Sequence, residues 1–115
     1  MTTLYGIPNC DTVKKARTWL AEHGVAYDFH DYKKAGVDPA ALDRWIDALG
    51  WEAVLNRAGT TFRKLPEADR AGLDRARATA IMLAHPSTIK RPILDHADVV
   101  SAGFKPERYA ELFGA

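Results

Sequence analysis

One cysteine, Cys10, occurs in the chain, within Ile7-Pro8-Asn9-Cys10-Asp11-Thr12, where a short β-prone run gives way to a helix-forming one. A helix start presents unpaired backbone N–H groups and the positive end of the macrodipole, and both favour an anion. A sulfur held there is expected to lose its proton more readily than a free thiol. Isolated cysteines are often inert core residues, but Pro8-Asn9 before Cys10 and Asp11-Thr12 after it mark a loop tip. The chemistry implied is that of a nucleophilic thiol. Lys14 lies one helical turn further on and shares the cysteine's side of the helix. There it either stabilises a thiolate or holds an anionic substrate, unless it is simply solvated, as Lys15 and Arg17 are expected to be. Asp11 would oppose thiol ionisation if its charge stayed close, and its expected place is as a cap on the first-turn N–H groups.

A second cationic group occurs in Ser87-Thr88-Ile89-Lys90-Arg91-Pro92. Proline is tolerated at the first position of a strand, and X-Pro bonds are the common site of cis peptides. A cis Arg91–Pro92 bond would carry Arg91 to the C-terminal end of the first strand, beside Cys10. A guanidinium there is suited to a bidentate grip on a carboxylate or oxyanion. Arg57 and Arg63-Lys64 flank a loop at Gly59 and either roof the same pocket or are solvated. The histidines His23, His30, His85 and His96 lack metal-ligand spacing, so no metal is expected. Nucleophile-elbow and glycine-rich phosphate-binding motifs are absent from the sequence.

These residues need a scaffold. Thr2–Ile7 reads as a strand closed by Pro8. Val13, Ala16, Trp19 and Leu20 then fall at helical spacing over Asp11–His23, with Gly24 as a stop. Val25–Tyr32 alternates, Val25, Tyr27 and Phe29 on one face, as a second strand. Strand, helix, strand is a βαβ unit with a right-handed crossover. Asp38-Pro39 opens a helix with Leu42, Trp45, Ile46 and Leu49 on one stripe, ending at Gly50. Trp51–Asn56 and Pro66–Gly72 read as short helices, with Ala58–Thr61 a loop between them. Leu73–Ala84 carries Leu73, Ala76, Ala80, Ile81 and Leu83 before His85-Pro86 stops it, so residues 38–85 are expected to be all-helical. Pro92–Asp95 and Asp98–Ser101 suggest an antiparallel hairpin, and Pro106 opens a last helix with Tyr109, Leu112 and Phe113 inward. The expected class is α/β: a thioredoxin-like βαβ…ββα order with a mixed four-stranded sheet, in a single domain over 1–115, with a helical insertion at 38–85.

At 115 residues the chain buries enough surface to fold without disulfides or metals. No apolar run approaches the ~18 residues of a transmembrane span, and no secretory signal is recognisable at the N-terminus. With one cysteine and no internal disulfide, a reducing cytoplasm is the expected location. A net charge of +1 with interspersed signs gives no bulk signal for a nucleic-acid partner.

Several stretches carry a resemblance: Leu4-Tyr5-Gly6-Ile7, Asn9-Cys10-Asp11-Thr12 and Lys14-Lys15-Ala16 near the start, then Phe29-His30-Asp31-Tyr32 and Leu55-Asn56. Gly59-Thr60-Thr61-Phe62-Arg63-Lys64-Leu65, Ile89-Lys90-Arg91-Pro92 and Gly103-Phe104 complete it. In this order they resemble the arsenate reductase-like (ArsC/Spx) family along nearly the whole chain, and its small YffB-like branch most closely. The resemblance implies a thioredoxin-like fold, a reactive Cys10, a cis proline at Pro92 and an anion-binding Arg91. Arsenate reductases of this family cage the cysteine with three arginines. Arg91 matches one, the second falls near Asn56 with Arg57 beside it, and the third is replaced by Lys105 before Pro106. Lysine lacks the planar fork of arginine, so the cage for arsenate is incomplete. Spx-type regulators often carry C-x-x-C, and here the residue three after Cys10 is Val13.

A lone thiol implies monothiol chemistry, in which an external thiol must release any covalent adduct. The expected function is that of a cytosolic thiol–disulfide oxidoreductase, a glutathione-dependent thiol reductase with no bound cofactor and glutathione as co-substrate. Cys10 and Arg91 are the expected catalytic residues, with Asn9, Thr12, Lys14, Arg57, Arg63, Lys90 and Pro92 around substrate or glutathione. The expected partners are glutathione or another small thiol, a small oxyanion or disulfide, and glutaredoxin. Two alternatives stand beside this: an arsenate reductase proper, and an Spx-like non-enzymatic regulator that binds RNA polymerase.

Overall fold

In the computed structural model, which describes residues 2–115, Thr2–Gly6 forms the first strand (β1) and Asp11–Glu22 the first helix (α1). Thr2, Leu4 and Gly6 of β1 are buried while Thr3 and Tyr5 are half-buried, the period-2 alternation of a pleated strand. Gly6 closes the strand for a steric reason. A Cβ at this position would lie 2.9 Å from Val13 Cγ2, so only glycine lets the first turns of α1 sit against the strand's end. Val13, Ala16 and Leu20 are the buried stripe of α1, and the helix ends at Glu22 before Gly24, whose φ is +66°.

The chain divides into two compact units: Met1–Ala35 with Arg91–Ala115, and Gly36–Lys90. In the first, Asp28–Asp31 (β2) pairs parallel to β1, with Thr3 opposite Asp28 and Gly6 opposite Asp31. Ile93–His96 (β3) pairs antiparallel to β1, and Val99–Ala102 (β4) antiparallel to β3. The result is a mixed four-stranded sheet in the order β2-β1-β3-β4. Its hairpin turns through Ala97 (φ 47°) and Asp98 (φ 67°), the paired left-handed residues of a two-residue turn that matches strand twist. Pro106–Phe113 is the last helix of the unit. Leu4, Ala16, Leu20, Leu94 and Tyr109 form the buried core, with Trp19, Phe29, Phe104 and Phe113 packed against it.

The strands are shorter than the spacing suggested. Val25 and Tyr27 pack on the core but precede β2, and Tyr32 falls outside the strand, at the start of a single helical turn, Tyr32–Ala35 (α2). Asp31 explains the stop. Its Oδ1 accepts hydrogen bonds from the backbone N–H groups of Lys33 (3.1 Å) and Lys34 (3.2 Å), which turns the chain out of the sheet.

The second unit is helical. Pro39–Leu49 (α3) begins at Asp38, whose Oδ1 caps Ala40 N at 3.1 Å, and it buries Leu42, Trp45 and Ile46. Trp51–Val54 (α4), Thr60–Arg63 (α5) and Glu67–Arg70 (α6) are single turns. The loop expected over 58–61 thus ends one residue before Thr60, where a helical turn starts. Arg75–Ala84 (α7) is capped by Asp74 on Arg77 N at 2.8 Å, and Arg75 Nη1 reaches Asp47 Oδ1 of α3 at 2.7 Å. The buried residues of α7 are Ala78 and Met82, whereas Ala76 and Ala80 are exposed and Leu83 is 38% exposed. The expected stripe was therefore misplaced, because alanines spread round a helix have too little volume to single out one face. The expectation of an all-helical segment also misses one feature, an antiparallel bridge between Leu55 and Ile89. Beside it, Asn56 N donates to Thr88 O (2.7 Å) and Lys90 N to Val54 O (2.8 Å).

Candidate active site at the end of the sheet

Cys10 is the N-cap residue of α1, in extended conformation at φ −110° and ψ 127°. Its carbonyl accepts the first helical hydrogen bond from Lys14 N (2.9 Å), and its own N–H donates to Ile7 O (3.3 Å). The thiol is free and half-exposed, and it makes no capping hydrogen bond to the N–H groups of the first turn. Sulfur and open N–H groups therefore share one helix end, the arrangement that favours an anion. Asp11 does not cap as the sequence suggested. It is the first helical residue and exposed, because the capping position one residue earlier is filled by the cysteine itself.

Strand register fixes what lies near this end. Gly6 is opposite Asp31, so Tyr32 is the next residue beyond β2. Tyr5 is opposite Ile93 on the other side, so Pro92 and Arg91 lead into β3 at the same end of the sheet. The Arg91–Pro92 peptide is cis, Pro92 is buried, and its carbonyl accepts from Gly103 N at 2.9 Å. Arg91 is half-exposed. Cys10, Tyr32 and Arg91 thus come together from the ends of β1, β2 and β3.

Tyr32 is fully buried. Burial pushes its phenol well above its ordinary range; the Arg91 charge opposes that rise, and a Cys10 thiolate and Asp31 add to it. Sequence reading missed this residue by counting it as the last position of a strand. Asp31 ahead of two lysines, a side chain able to cap the backbone two and three residues on, was the signal that the strand ends one residue sooner.

Asn9 and Thr12 flank Cys10 and are exposed. Lys14 is exposed too, and lines a shallow cleft of about 360 Å³ with Lys15, Trp19, Phe104 and Pro106. Lys105 is exposed as the residue that starts the last helix. Arg57, Arg63 and Lys90 belong to the helical unit. There all three are exposed, with the Arg57 guanidinium 5.8 Å from the centre of the Trp51 ring.

The family model for ArsC matches residues 5–112. The chain belongs to the ArsC family. A solved structure of a YffB protein is 60% identical and superposes with a TM-score of 0.95, covering 97% of this chain and 98% of its own. A solution structure of an arsenate reductase (ArsC) related protein from Brucella melitensis is 54% identical, with a TM-score of 0.76, covering 99% of this chain and 95% of that one. An uncharacterised Haemophilus influenzae protein is 39% identical over 113 residues, 98% of this chain and 99% of its own. The sheet and its helices are thus the thioredoxin-like ArsC fold, and the likeness to arsenate reductase-related proteins is of a redox kind. Within that ArsC fold, Cys10 occupies the first loop beyond the central strand β1. No helix among the described residues is long and apolar enough to cross a membrane.

Proposed function

We propose that this ArsC-family chain is a monothiol, glutathione-dependent thiol–disulfide oxidoreductase working in a reducing compartment. The observation that carries this reading is that the only cysteine stands at the N-cap position of α1, half-exposed, at the sheet end that also bears Arg91. In the first step the Cys10 thiolate attacks the glutathionyl sulfur of a mixed disulfide. A Cys10–glutathione disulfide forms, and the substrate sulfur leaves as a thiolate that takes up a proton. In the second step the thiolate of a free glutathione attacks the glutathionyl sulfur on Cys10. Oxidised glutathione departs and the Cys10 thiolate is restored. Overall, one free glutathione is consumed for each substrate thiol released, and the glutathionyl group carried in by the substrate leaves joined to it as oxidised glutathione. Arg91 and Lys14 bind glutathione carboxylates, with Asn9, Thr12 and the backbone at Pro92 supplying polar contacts.

Intact-mass measurement after exposure to oxidised glutathione tests this. The wild type is expected to gain one glutathionyl group, which reduced glutathione removes, and Cys10→Ser to gain none. A wild type that stays unmodified overturns the reading. Arsenate reduction is the second reading, supported by the 54% identity to an arsenate reductase-related protein and opposed by Lys105 standing where the family has an arginine. Arsenate-dependent oxidation of glutathione above a Cys10→Ser control, with or without glutaredoxin, would establish it. An Spx-like regulator would instead retain its protein partner in the Cys10→Ser variant.

A further inference from the structure

We propose that Tyr32 is a positioning residue of the Cys10 site: fixed at the end of β2, its phenol is a neutral hydrogen-bond donor directed at the charge shared by the Cys10 sulfur and Arg91. The proposal rests on the reading that Cys10 is the nucleophile, and on three observations. First, register puts the residue there. Gly6 pairs with Asp31 and Tyr5 with Ile93, so the residues just past β1 and β2 and just before β3 share one end of the sheet. Second, the residue is held. Asp31 caps the turn that Tyr32 begins, and the tyrosine side chain is wholly buried, so the phenol has little freedom to swing into solvent. Third, its charged surroundings are those of the site. Arg91, Cys10 and Asp31 are the groups that act on the phenol.

The charges decide what kind of group it is. A buried phenol beside a thiolate and a carboxylate keeps its proton through the neutral range, even with a guanidinium nearby. It therefore cannot take a proton from Cys10. It can donate its own O–H to a sulfur anion or to an oxygen anion held by Arg91, and it does so without adding net charge. That suits a site in which the anion is first the Cys10 thiolate and then the departing thiolate, because one fixed donor serves both states. A tyrosine kept only for packing would need neither the site's end of the sheet nor its charges.

Removing the hydroxyl alone tests the proposal. In Tyr32→Phe, Cys10 alkylation by iodoacetamide is expected to slow about tenfold at neutral pH, with the midpoint of its pH profile about one unit higher, a modest value for a lost charge-assisted hydrogen bond. The charged groups that the chain and the strand register place at this end of the sheet, Asp11 and Lys14 of α1, Asp31 of β2 and Arg91 ahead of β3, are unchanged in this variant. A folded Tyr32→Phe protein whose profile superposes on the wild type overturns the proposal. If the variant does not fold, the wild type answers the same question. With ring-labelled tyrosine, one Cζ resonance is expected to titrate with the alkylation midpoint and to stop doing so once Cys10 is alkylated; no such resonance overturns the proposal. Iodoacetamide needs no glutathione, so a wild type that alkylates but accepts no glutathionyl group defeats the glutathione reading and leaves this one standing.

Discussion

Tyr32 and Tyr109 are both wholly buried in the sheet unit, and burial raises both phenols far above their ordinary range. Their surroundings differ. Tyr109 stands among rings, edge-on to Phe104 at 4.8 Å and to Trp19 at 5.5 Å between centroids, and its hydroxyl has no hydrogen-bond partner among the described residues. Burial alone accounts for its shift. Tyr32 is acted on by a guanidinium, a thiol and a carboxylate as well. Depth therefore does not separate a packing tyrosine from one that belongs to a site; the charges around it do. One phenol is tolerated for the sake of its ring, and the other sits where its hydroxyl has something to act on.

The comparison breaks most visibly when the packing ring is removed. Tyr109→Ala deletes an aromatic side chain from the core and is expected to cost about 3–5 kcal/mol, read from urea unfolding. Below its lowered melting temperature the variant should alkylate at Cys10 like the wild type. A changed alkylation rate in the folded variant would mean that Tyr109 also serves the site. Next in size is the response to alkali. The unfolded chain releases a tyrosine proton near pH 10, while both folded phenols hold theirs to higher pH. Above about pH 10 the folded state thus binds more protons, and stability falls as pH rises, by up to about 1.4 kcal/mol per unit for each phenol. Below pH 10 that contribution is fully present. Unfolding midpoints are expected to be level for these groups from pH 7 to 9 and to drop beyond 10. Each single phenylalanine variant should remove about half of the drop, and a variant that removes none would show that its phenol ionises normally.

Much of this was legible in the sequence. The helix stripe of Val13, Ala16 and Leu20 and the alternation around Phe29 specify the βαβ unit, because large apolar side chains at a fixed period announce a buried face. The placement of Cys10 at a helix start followed from Pro8-Asn9 and the polar residues after it. Less was legible where the signal is local and polar. Asp31 ends β2 through its side chain, which periodicity does not register, and that single misplaced boundary hid Tyr32. The face of α7 was lost among alanines, and the helical turn at Thr60 follows no apolar pattern. No local pattern pairs Tyr32 with Arg91 either, since their neighbourhood is set by the register of β1 with two other strands.

Arg91 separates the two tyrosines by charge rather than by packing. In Arg91→Ala, glutathionyl transfer to Cys10 is expected to slow by about tenfold, the worth of one charge-assisted contact in a half-exposed position. Stability should change by less than about 1 kcal/mol, because a partly solvated guanidinium contributes little to folding. Unfolding in urea and the time course of the mass shift measure the two effects on the same samples. A large loss of stability with unchanged transfer would place Arg91 with Tyr109 as a structural residue.

The smallest effect is the most discriminating. Tyr109→Phe keeps the ring and its edge-on contacts with Phe104 and Trp19 while deleting a hydroxyl that has no partner. In the unfolded chain that hydroxyl is hydrated, and on folding it gives up water for nothing in return. The variant is therefore expected to be as stable as the wild type or more so, by up to about 1 kcal/mol, with Cys10 alkylation unaltered. The same substitution at Tyr32 takes a donor away from a charged neighbourhood, so it should change alkylation whatever it does to stability. The same substitution at the two positions, measured by urea unfolding and by alkylation, thus gives different patterns. Identical patterns would mean that the charges near Tyr32 are incidental, and that both tyrosines are there to fill the core.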